Sequence, residues 1–420
     1  MNFTSGTKSR YRNHALLAAV SLAWLLVFAV LTQMPVQGIV YPDSASYYIS
    51  ADNLYNHFRG HNFRPVLMAA LNGIPILFGG GRDEVLTFGV VVNVFCWVGS
   101  VMLVYEILMR FVSSRPAFWF SMASILIVGS TALVFHLLTE TIYTFMVLMA
   151  MLMLALHDQN RRYVFLAVGL CILLLTMLIR PGGMVFAAIV ALLYARHIWG
   201  NLFSRSQLWP VAALSLIMVQ CAGMKYQFGN FTLSYIDAVT YYNYLGSKSQ
   251  AFADGRAYSQ ERNPRNDDIY PLSGPEQKQR ASADFGRQLQ SHPEMMALAY
   301  LDNLLENTKT GSTPISDCRN VWGSPAYAAP MLFLLSKWQN RAFTIAGVLL
   351  GFWFLMRGKG LFTKVLAVYV LTTVFLSGIS SSQGDRFHVV TFPVVLMMAA
   401  LAWREWKGLA KRSVAPLQTG

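Results

Sequence analysis

The chain has 420 residues, of which 55% are hydrophobic and 13% charged, and 33 Lys and Arg outnumber 20 Asp and Glu for a net charge of +13. That balance excludes a disordered chain and an ordinary soluble domain, and describes an integral membrane protein. The basic residues lie mostly in short segments between apolar runs, so they set membrane orientation rather than bind nucleic acid, and four cysteines (Cys96, Cys171 and Cys221 inside apolar runs, Cys318 apart) supply neither a disulfide framework nor a paired-cysteine zinc site.

A bilayer core of about 30 Å needs roughly 20 apolar residues per helical crossing. Hydropathy and turn punctuation place spans near 14–35, 85–109, 116–135, 141–157, 163–180, 182–199, 208–224, 342–356, 361–379 and 387–403. The run from Ala15 to Leu31 is expected to be retained, because the Thr-Gln-Met-Pro-Val-Gln that follows offers no small-residue cleavage site. The stretch from Tyr163 to Trp199 is too long for one span, and "RPGG" at Arg180 to Gly183 divides it where Pro and Gly permit a reversal.

About ten crossings put both ends of the chain on one side. That side carries Lys8, Arg10, Arg12, Arg110, Arg115, Arg161, Arg162, Arg205, Arg357, Lys359, Arg404, Lys407, Lys411 and Arg412, so the positive-inside bias makes it cytoplasmic. The opposite side receives two large polar segments, 36–84 and 225–341. The expected architecture is an all-α polytopic membrane protein with juxtamembrane helices on its outer face. It divides into an N-terminal transmembrane module (1–224, with the first outer loop 36–84), an extracytoplasmic cap (225–341) and C-terminal transmembrane helices with a basic tail (342–420). Within the cap, 246–287 is rich in turn formers and reads as a mobile middle, followed by an amphipathic helix from Pro293 to Leu305.

The chemistry concentrates on the outer side. In "YPDSASYYISADNLYNHFRGHNFRP", Tyr47, Ala51, Leu54, Tyr55 and Phe58 recur at helical spacing, so this segment forms a helix along the membrane surface with Asp43 at its start. Asp43 either caps that helix through a backbone N–H near Ser46 or serves as a carboxylate that removes a proton from a hydroxyl; both readings stand. His57, Arg59, His61 and Arg64 then form a basic cluster at headgroup height, suited to fork onto a phosphate or to touch anionic lipid non-specifically. Glu140 in "HLLTETIY" lies at the outer edge of a span, where an ionised group is costly unless paired or functional. Arg180 in "LIRPGG", and Arg386 with His388 in "GDRFHVVTFP", reach the same edge, and Arg180 is a natural partner for Glu140. Tyr235, Tyr241, Tyr242 and Tyr244 offer aromatic faces for a glycan.

The pieces "YPDSASYY", "FRPVLMAALNGIPILFGG", "LTETIYTFMVLMAM", "LLTMLIRPGGMVFA" and "GDRFHVVTFPVV", in that order over most of residues 10–405, resemble the C-type membrane glycosyltransferases, in particular protein mannosyltransferases and aminoarabinose lipid A transferases. The resemblance implies an enzyme that moves a monosaccharide, with inversion, from a polyprenyl (undecaprenyl) phosphate carrier to a glycan, lipid-linked or protein acceptor on the outer face of the cytoplasmic membrane. It implies Asp43 as the base, Arg64 with Arg386 and His388 as the neighbourhood of the carrier phosphate, and Glu140 and Arg180 as organisers of the site. With the basic cluster and the aromatic faces added, the candidates are Asp43 and Glu140 as catalytic residues and Arg64, His57, His61, Arg180, Arg386, His388, Tyr241 and Tyr242 as substrate-binding residues. Two features depart from the family: Ser44 follows Asp43 where mannosyltransferases carry an Asp-Glu pair, which leaves Asp52 as the nearby assistant, and about ten spans are fewer than aminoarabinose transferases have.

The expected partners are the lipid-phosphate sugar, the acceptor and the bilayer, with no nucleic acid and no cofactor. A divalent metal would have to be drawn from Asp43, Asp52, Glu140 and Asp385, which no ligand spacing ties together. The alternatives are a flippase or transporter of lipid-linked sugar and an O-antigen polymerase or ligase. Few charges fall deep within spans, and the polar mass lies on one side, which favours a transferase over a transporter.

Overall fold

The computed structural model describes residues 3–34, 42–261, 263–316, 328–358, 360–381 and 383–413. Its described residues build helices and connecting turns. The first half runs α1 (Phe3–Thr32), α2 (Pro42–His57), α3 (Val66–Asn72), α4 (Arg82–Leu108), α5 (Ser114–Ile125), α6 (Val128–Leu133), α7 (Glu140–Asn160), α8 (Tyr163–Met177), α9 (Gly183–Leu193), α10 (Ala195–Trp199) and α11 (Leu208–Phe228). The second half runs α12 (Ile236–Thr240), a π-helical turn (Tyr241–Leu245), α13 (Gly246–Ala253), α14 (Arg265–Ile269), α15 (Gly274–Ser291), α16 (Pro293–Lys309), α17 (Ala328–Arg357), α18 (Leu361–Leu376), α19 (Arg386–Val389) and α20 (Phe392–Ser413).

Each of the ten predicted spans falls largely on helix, yet among the described residues five segments are long and apolar enough to cross a membrane: Arg10–Thr32, Arg82–Leu108, Glu140–Asn160, Arg205–Phe228 and Leu361–Ile379. Tyr163–Met177 and Gly183–Leu193 are apolar but shorter. The difference has local causes. The run predicted at 116–135 breaks into α5 and α6 because Ile127 is extended, at φ −75° and ψ 99°. The last run opens with the four-residue α19 and restarts at α20. Conversely, α17 begins at Ala328 rather than near 342, and its 30 residues extend to about 45 Å.

Two turns behave as the sequence predicts. Arg161 adopts the left-handed conformation (φ 56°) that closes α7 and reverses the chain into α8. At "RPGG" the Gly183 N–H donates to the Arg180 carbonyl at 2.9 Å, so α8 and α9 pack as an antiparallel pair.

The bundle has two distinct ends. At one, Arg10 and His14 pair with Glu106, Gln159 Nε2 donates to the Arg110 carbonyl (3.0 Å), and the Phe362 N–H donates to Asp158 Oδ2 (3.2 Å). At the other lie α2, α3 and the cap. Between them Tyr105, Phe354, Phe362, Tyr369 and Phe392 are fully buried.

The cap is more ordered than its composition predicts: 246–287 is largely helical rather than a mobile middle. Its polar residues satisfy one another. Buried Lys248 donates to Asp302 (2.8 Å) and Glu306 (2.9 Å), and buried Asp284 pairs with Arg265 and Arg287. A Ser273–Glu276 capping box starts α15. The predicted amphipathic helix is α16, and its buried polar face anchors the cap: Asn303 Nδ2 donates to the Gly378 carbonyl (3.0 Å) and Asn307 Nδ2 to the Ser377 and Ser380 carbonyls (2.9 and 2.8 Å). These bonds hold the loop that leads from α18 to Arg386.

Replacing Asn307 by Leu takes its donor from the Ser380 carbonyl and leaves the Ser377 carbonyl with the Ser380 N–H. It is expected to cost about 1–3 kcal/mol, read as a lower unfolding midpoint in detergent. An unchanged midpoint would contradict the anchoring role.

Candidate functional site

The site forms where three distant segments meet at the cap end. Helix α2 supplies Asp43 from its first turn. The connection into α3 supplies Arg64, and Pro65, extended at φ −64° and ψ 156°, fixes the backbone beside it. The first turn of α7 supplies Glu140, the reversal between α8 and α9 supplies Arg180, and α19 supplies Arg386.

Their charges alternate along one chain of contacts. Arg64 Nη2 donates to Asp43 Oδ1 at 2.8 Å, and Arg386 Nη1 donates to Asp43 Oδ2 at 2.9 Å. Arg386 also reaches Glu140 Oε1 through Nε (3.1 Å) and Nη2 (3.0 Å), and Arg180 Nη1 lies 3.6 Å from the same oxygen. The order is therefore Arg64, Asp43, Arg386, Glu140, Arg180: three cations and two anions. Glu140 is 2% exposed and Arg386 7%, whereas about a third of Asp43 (35%) faces the outside. Access to this chain is thus through Asp43.

Further contacts fix the arginines. Arg64 Nε donates to Ser46 Oγ (2.8 Å) and Nη1 to the Tyr47 hydroxyl (3.1 Å), while its guanidinium lies 4.3 Å from the Tyr47 ring centre. Arg180 lies over Phe387, 5.0 Å from the ring centre. Burial pushes the Asp43 carboxyl up, but the guanidiniums of Arg386 and Arg64 outweigh it and hold it down at about 2. Among the described residues both carboxylate oxygens of Asp43 accept from guanidiniums.

The remaining predicted residues separate from this cluster. His61 Nδ1 accepts the Phe63 N–H (3.0 Å), and burial, then the charge of Arg64, lowers its pKa to about 4, so it is neutral at physiological pH. It does not belong to a cationic cluster. His57 is largely exposed beside Asp52 (3.7 Å) at the far end of α2. Asp52 accepts from Asn56 (2.7 Å) and is nine residues, about 13 Å, along the helix from Asp43, so it is not the assisting carboxylate. His388 is buried between Thr344 (3.0 Å to Nδ1) and Ser377 (2.8 Å to Nε2), where it joins α17 to the end of α18 instead of facing Asp43. Tyr241 donates to Asp284 (3.3 Å) and Tyr242 lies under Arg265 (3.7 Å), both inside the cap.

Gln383 joins the site although sequence reasoning did not assign it there, and it brings in Tyr244, which the sequence offers as an aromatic face for a glycan. Gln383 Nε2 donates to the Tyr244 hydroxyl (3.0 Å), and Gln383 Oε1 lies 3.5 Å from Arg386 Nη1, so the π-helical turn of the cap is linked to the charge chain. Gln383 stands three residues before Arg386, the one signal available. Asp385 is also enclosed: neither carboxyl oxygen has a hydrogen-bond partner among the described residues, and burial raises its pKa to about 7. A metal ligand set does not emerge. Among the described residues no three His, Cys, Asp or Glu side chains form a metal-sized group, and Asp43 and Glu140 are engaged by arginines.

No protein-family model and no curated protein matches the chain. Solved structures are similar to it in fold. The apo oligosaccharyltransferase of Archaeoglobus fulgidus is 14% identical with a TM-score of 0.47, over 98% of this chain and 53% of that one. AglB of the same organism, in complex with an inhibitory peptide and a dolichol-phosphate, is 14% identical with a TM-score of 0.44, over 95% and 52%. ArnT from Cupriavidus metallidurans, bound to undecaprenyl phosphate, is 12% identical with a TM-score of 0.40, over 94% and 79%. The chain spans about half the length of the oligosaccharyltransferases.

Arg386→Met would strand the buried Glu140 and half of the pairing of Asp43, and is expected to cost about 3–5 kcal/mol. Arg180→Met should cost less, because its contact is longer and its side chain 19% exposed. Unfolding midpoints of the two variants check the order, and equal losses would contradict it.

Proposed function

We propose that the chain is an integral membrane glycosyltransferase that takes a monosaccharide from a polyprenyl phosphate carrier and gives it to a hydroxyl acceptor at the outer face of the membrane. The observation that carries this reading is the chain of three arginines and two carboxylates, buried at Arg386 and Glu140 and most open at Asp43. Three guanidiniums against two carboxylates leave one positive charge for a phosphate, and the planar fork of Arg64 and Arg386 suits phosphate oxygens as well as it suits Asp43.

In the resting arrangement Asp43 is a poor base, because a carboxyl held at about 2 has little affinity for a proton. Binding of the carrier phosphate changes this. The phosphate competes with Asp43 for Arg64 and Arg386, and each hydrogen bond that moves to the phosphate returns basicity to the carboxylate. Donor binding therefore arms the base. Asp43 then takes the proton of the acceptor hydroxyl as its oxygen attacks the anomeric carbon, and the bond from that carbon to the phosphate oxygen breaks. The electron pair leaves with the polyprenyl phosphate, whose charge the arginines stabilise. One displacement inverts the anomeric centre. Glu140, shielded from substrate by Arg386, holds Arg386 and Arg180 in place and is a positioning residue.

The outer face is assigned from the positive-inside distribution of Arg10, Arg110, Arg161, Arg162 and Arg404 at the opposite end. The cap, linked to the site through Gln383 and Tyr244, is the element from which acceptor selection is expected.

Purified protein in lipid, offered radiolabelled undecaprenyl phosphate sugars and an envelope extract, is expected to move label from carrier to acceptor. Asp43→Asn should abolish transfer, and Arg64→Ala should raise the KM for the donor more than that for the acceptor. Wild-type turnover by Asp43→Asn would remove its role as base. Intact carrier crossing the bilayer without transfer would replace the transferase by a flippase.

A further inference from the structure

Glu140 carries a feature that the proposed reaction does not use. Its Oε1 receives Arg386 twice and lies near Arg180, while among the described residues the one side-chain donor to Oε2 is Thr139 Oγ1, at a long 3.5 Å. A carboxylate oxygen this deeply buried is costly to leave under-bonded. Glu140 also lines a cavity between α4, α5, α6, α7, α19 and α20 with about 20 Å³ of room for water. Its wall is mostly apolar, with Val104, Leu133 and Val389 among its residues, but Glu140, Ser100, Ser124, Ser130, Thr141 and Thr144 set polar groups into it.

The hydrogen-bond inventory of that wall is unbalanced in one direction. Ser100 donates to the Cys96 carbonyl (2.7 Å), Ser124 to the Ser121 carbonyl (2.6 Å) and Thr144 to the Glu140 carbonyl (2.8 Å), so their hydrogens are spent and their lone pairs remain. Ser130 accepts the Trp97 indole N–H (3.0 Å) and keeps its own hydrogen. Thr141 makes no side-chain hydrogen bond among the described residues. Two unspent donors, several acceptors and one under-bonded carboxylate oxygen surround a space of the right size. A water needs about 10–15 Å³ and two to four polar partners.

We propose that this cavity is a binding site for one or two structural waters, which bridge Glu140 to the hydroxyls of Ser130 and Thr141. The waters complete the coordination of Glu140 from below while the arginines complete it from above. Thr141 and Ser130 are thereby positioning residues for the charge chain, acting through solvent at a depth where bulk water is absent. This inference rests on the cavity and its hydrogen bonds and stands whether or not the chain transfers a sugar.

Thr141→Val tests it by the sign of its effect, since valine keeps the shape and β-branching of threonine and removes only the hydroxyl. In a hydrated cavity the loss of a water partner lowers the melting temperature, by about 2–4 °C, while Thr141→Ser stays nearer to wild type. In a dry cavity, valine is neutral or raises the melting temperature, and that result would overturn the proposal. A high-resolution structure of the whole chain in lipid supplies the direct readout. Ordered density within hydrogen-bond distance of Glu140 is expected, and an empty cavity at a resolution where other buried waters are visible would overturn the proposal as well.

Discussion

Arg386 is the interaction on which the rest of the site depends. A guanidinium 7% exposed at the end of a helical bundle is tolerable only if its hydrogens find acceptors, and two carboxylates from distant segments supply them: Asp43 from α2 and Glu140 from α7. Each carboxylate in turn needs a second cation, which Arg64 and Arg180 provide. Removing the central arginine would leave both anions short of a partner, one of them with no access to solvent. The geometry of α2, α7 and α19 at this end is therefore fixed by electrostatics as much as by apolar packing.

The same arrangement gives the site its chemistry. The chain is closed below, where Glu140 is enclosed, and open above, where Asp43 is partly exposed. An incoming anion thus meets Asp43 and its two arginines first. Because those arginines hold the Asp43 carboxyl at about 2, the base of the proposed reaction is unreactive in the resting arrangement. Release depends on a competing acceptor for the guanidiniums, and a phosphate has the charge and the geometry to be one. The cap adds a second layer of control: α16 holds the loop that precedes Arg386 through Asn303 and Asn307, and Gln383 ties that loop to Tyr244. A shift of the cap would move Arg386.

Much of this was legible in the sequence because polar residues at the edge of apolar runs are rare and costly. Glu140, Arg180 and Arg386 stand at the edges of such runs and Asp43 and Arg64 in the outer segment 36–84, all on one predicted face, and topology alone brings them to one end. What the sequence could not give is the direction of a side chain. His388 lies two residues from Arg386 yet turns into the bundle towards Thr344 and Ser377, because in a helix such neighbours face different sides. His61 reads as a cation until burial and Arg64 are known. Tyr241 and Tyr242 look like a glycan platform, but Asp284 and Arg265, which engage them, lie more than twenty residues away. The middle of the cap, 246–287, reads as mobile for a related reason: its order rests on pairs such as Lys248 with Asp302 and Glu306, which composition cannot reveal. The helix breaks at Ile127 and before Phe392 were hidden by continuous hydropathy.

The central claim is that Asp43 and a carrier phosphate compete for Arg64 and Arg386. The affinity of purified wild type and Asp43→Asn for undecaprenyl phosphate, measured side by side in lipid, tests it most directly. Removing the carboxylate charge frees the arginines, so the variant is predicted to bind the carrier more tightly while the wild type binds it more weakly. Weaker binding by a folded Asp43→Asn protein would contradict the account, because it would mean that Asp43 helps to hold the phosphate instead of yielding its arginines to it.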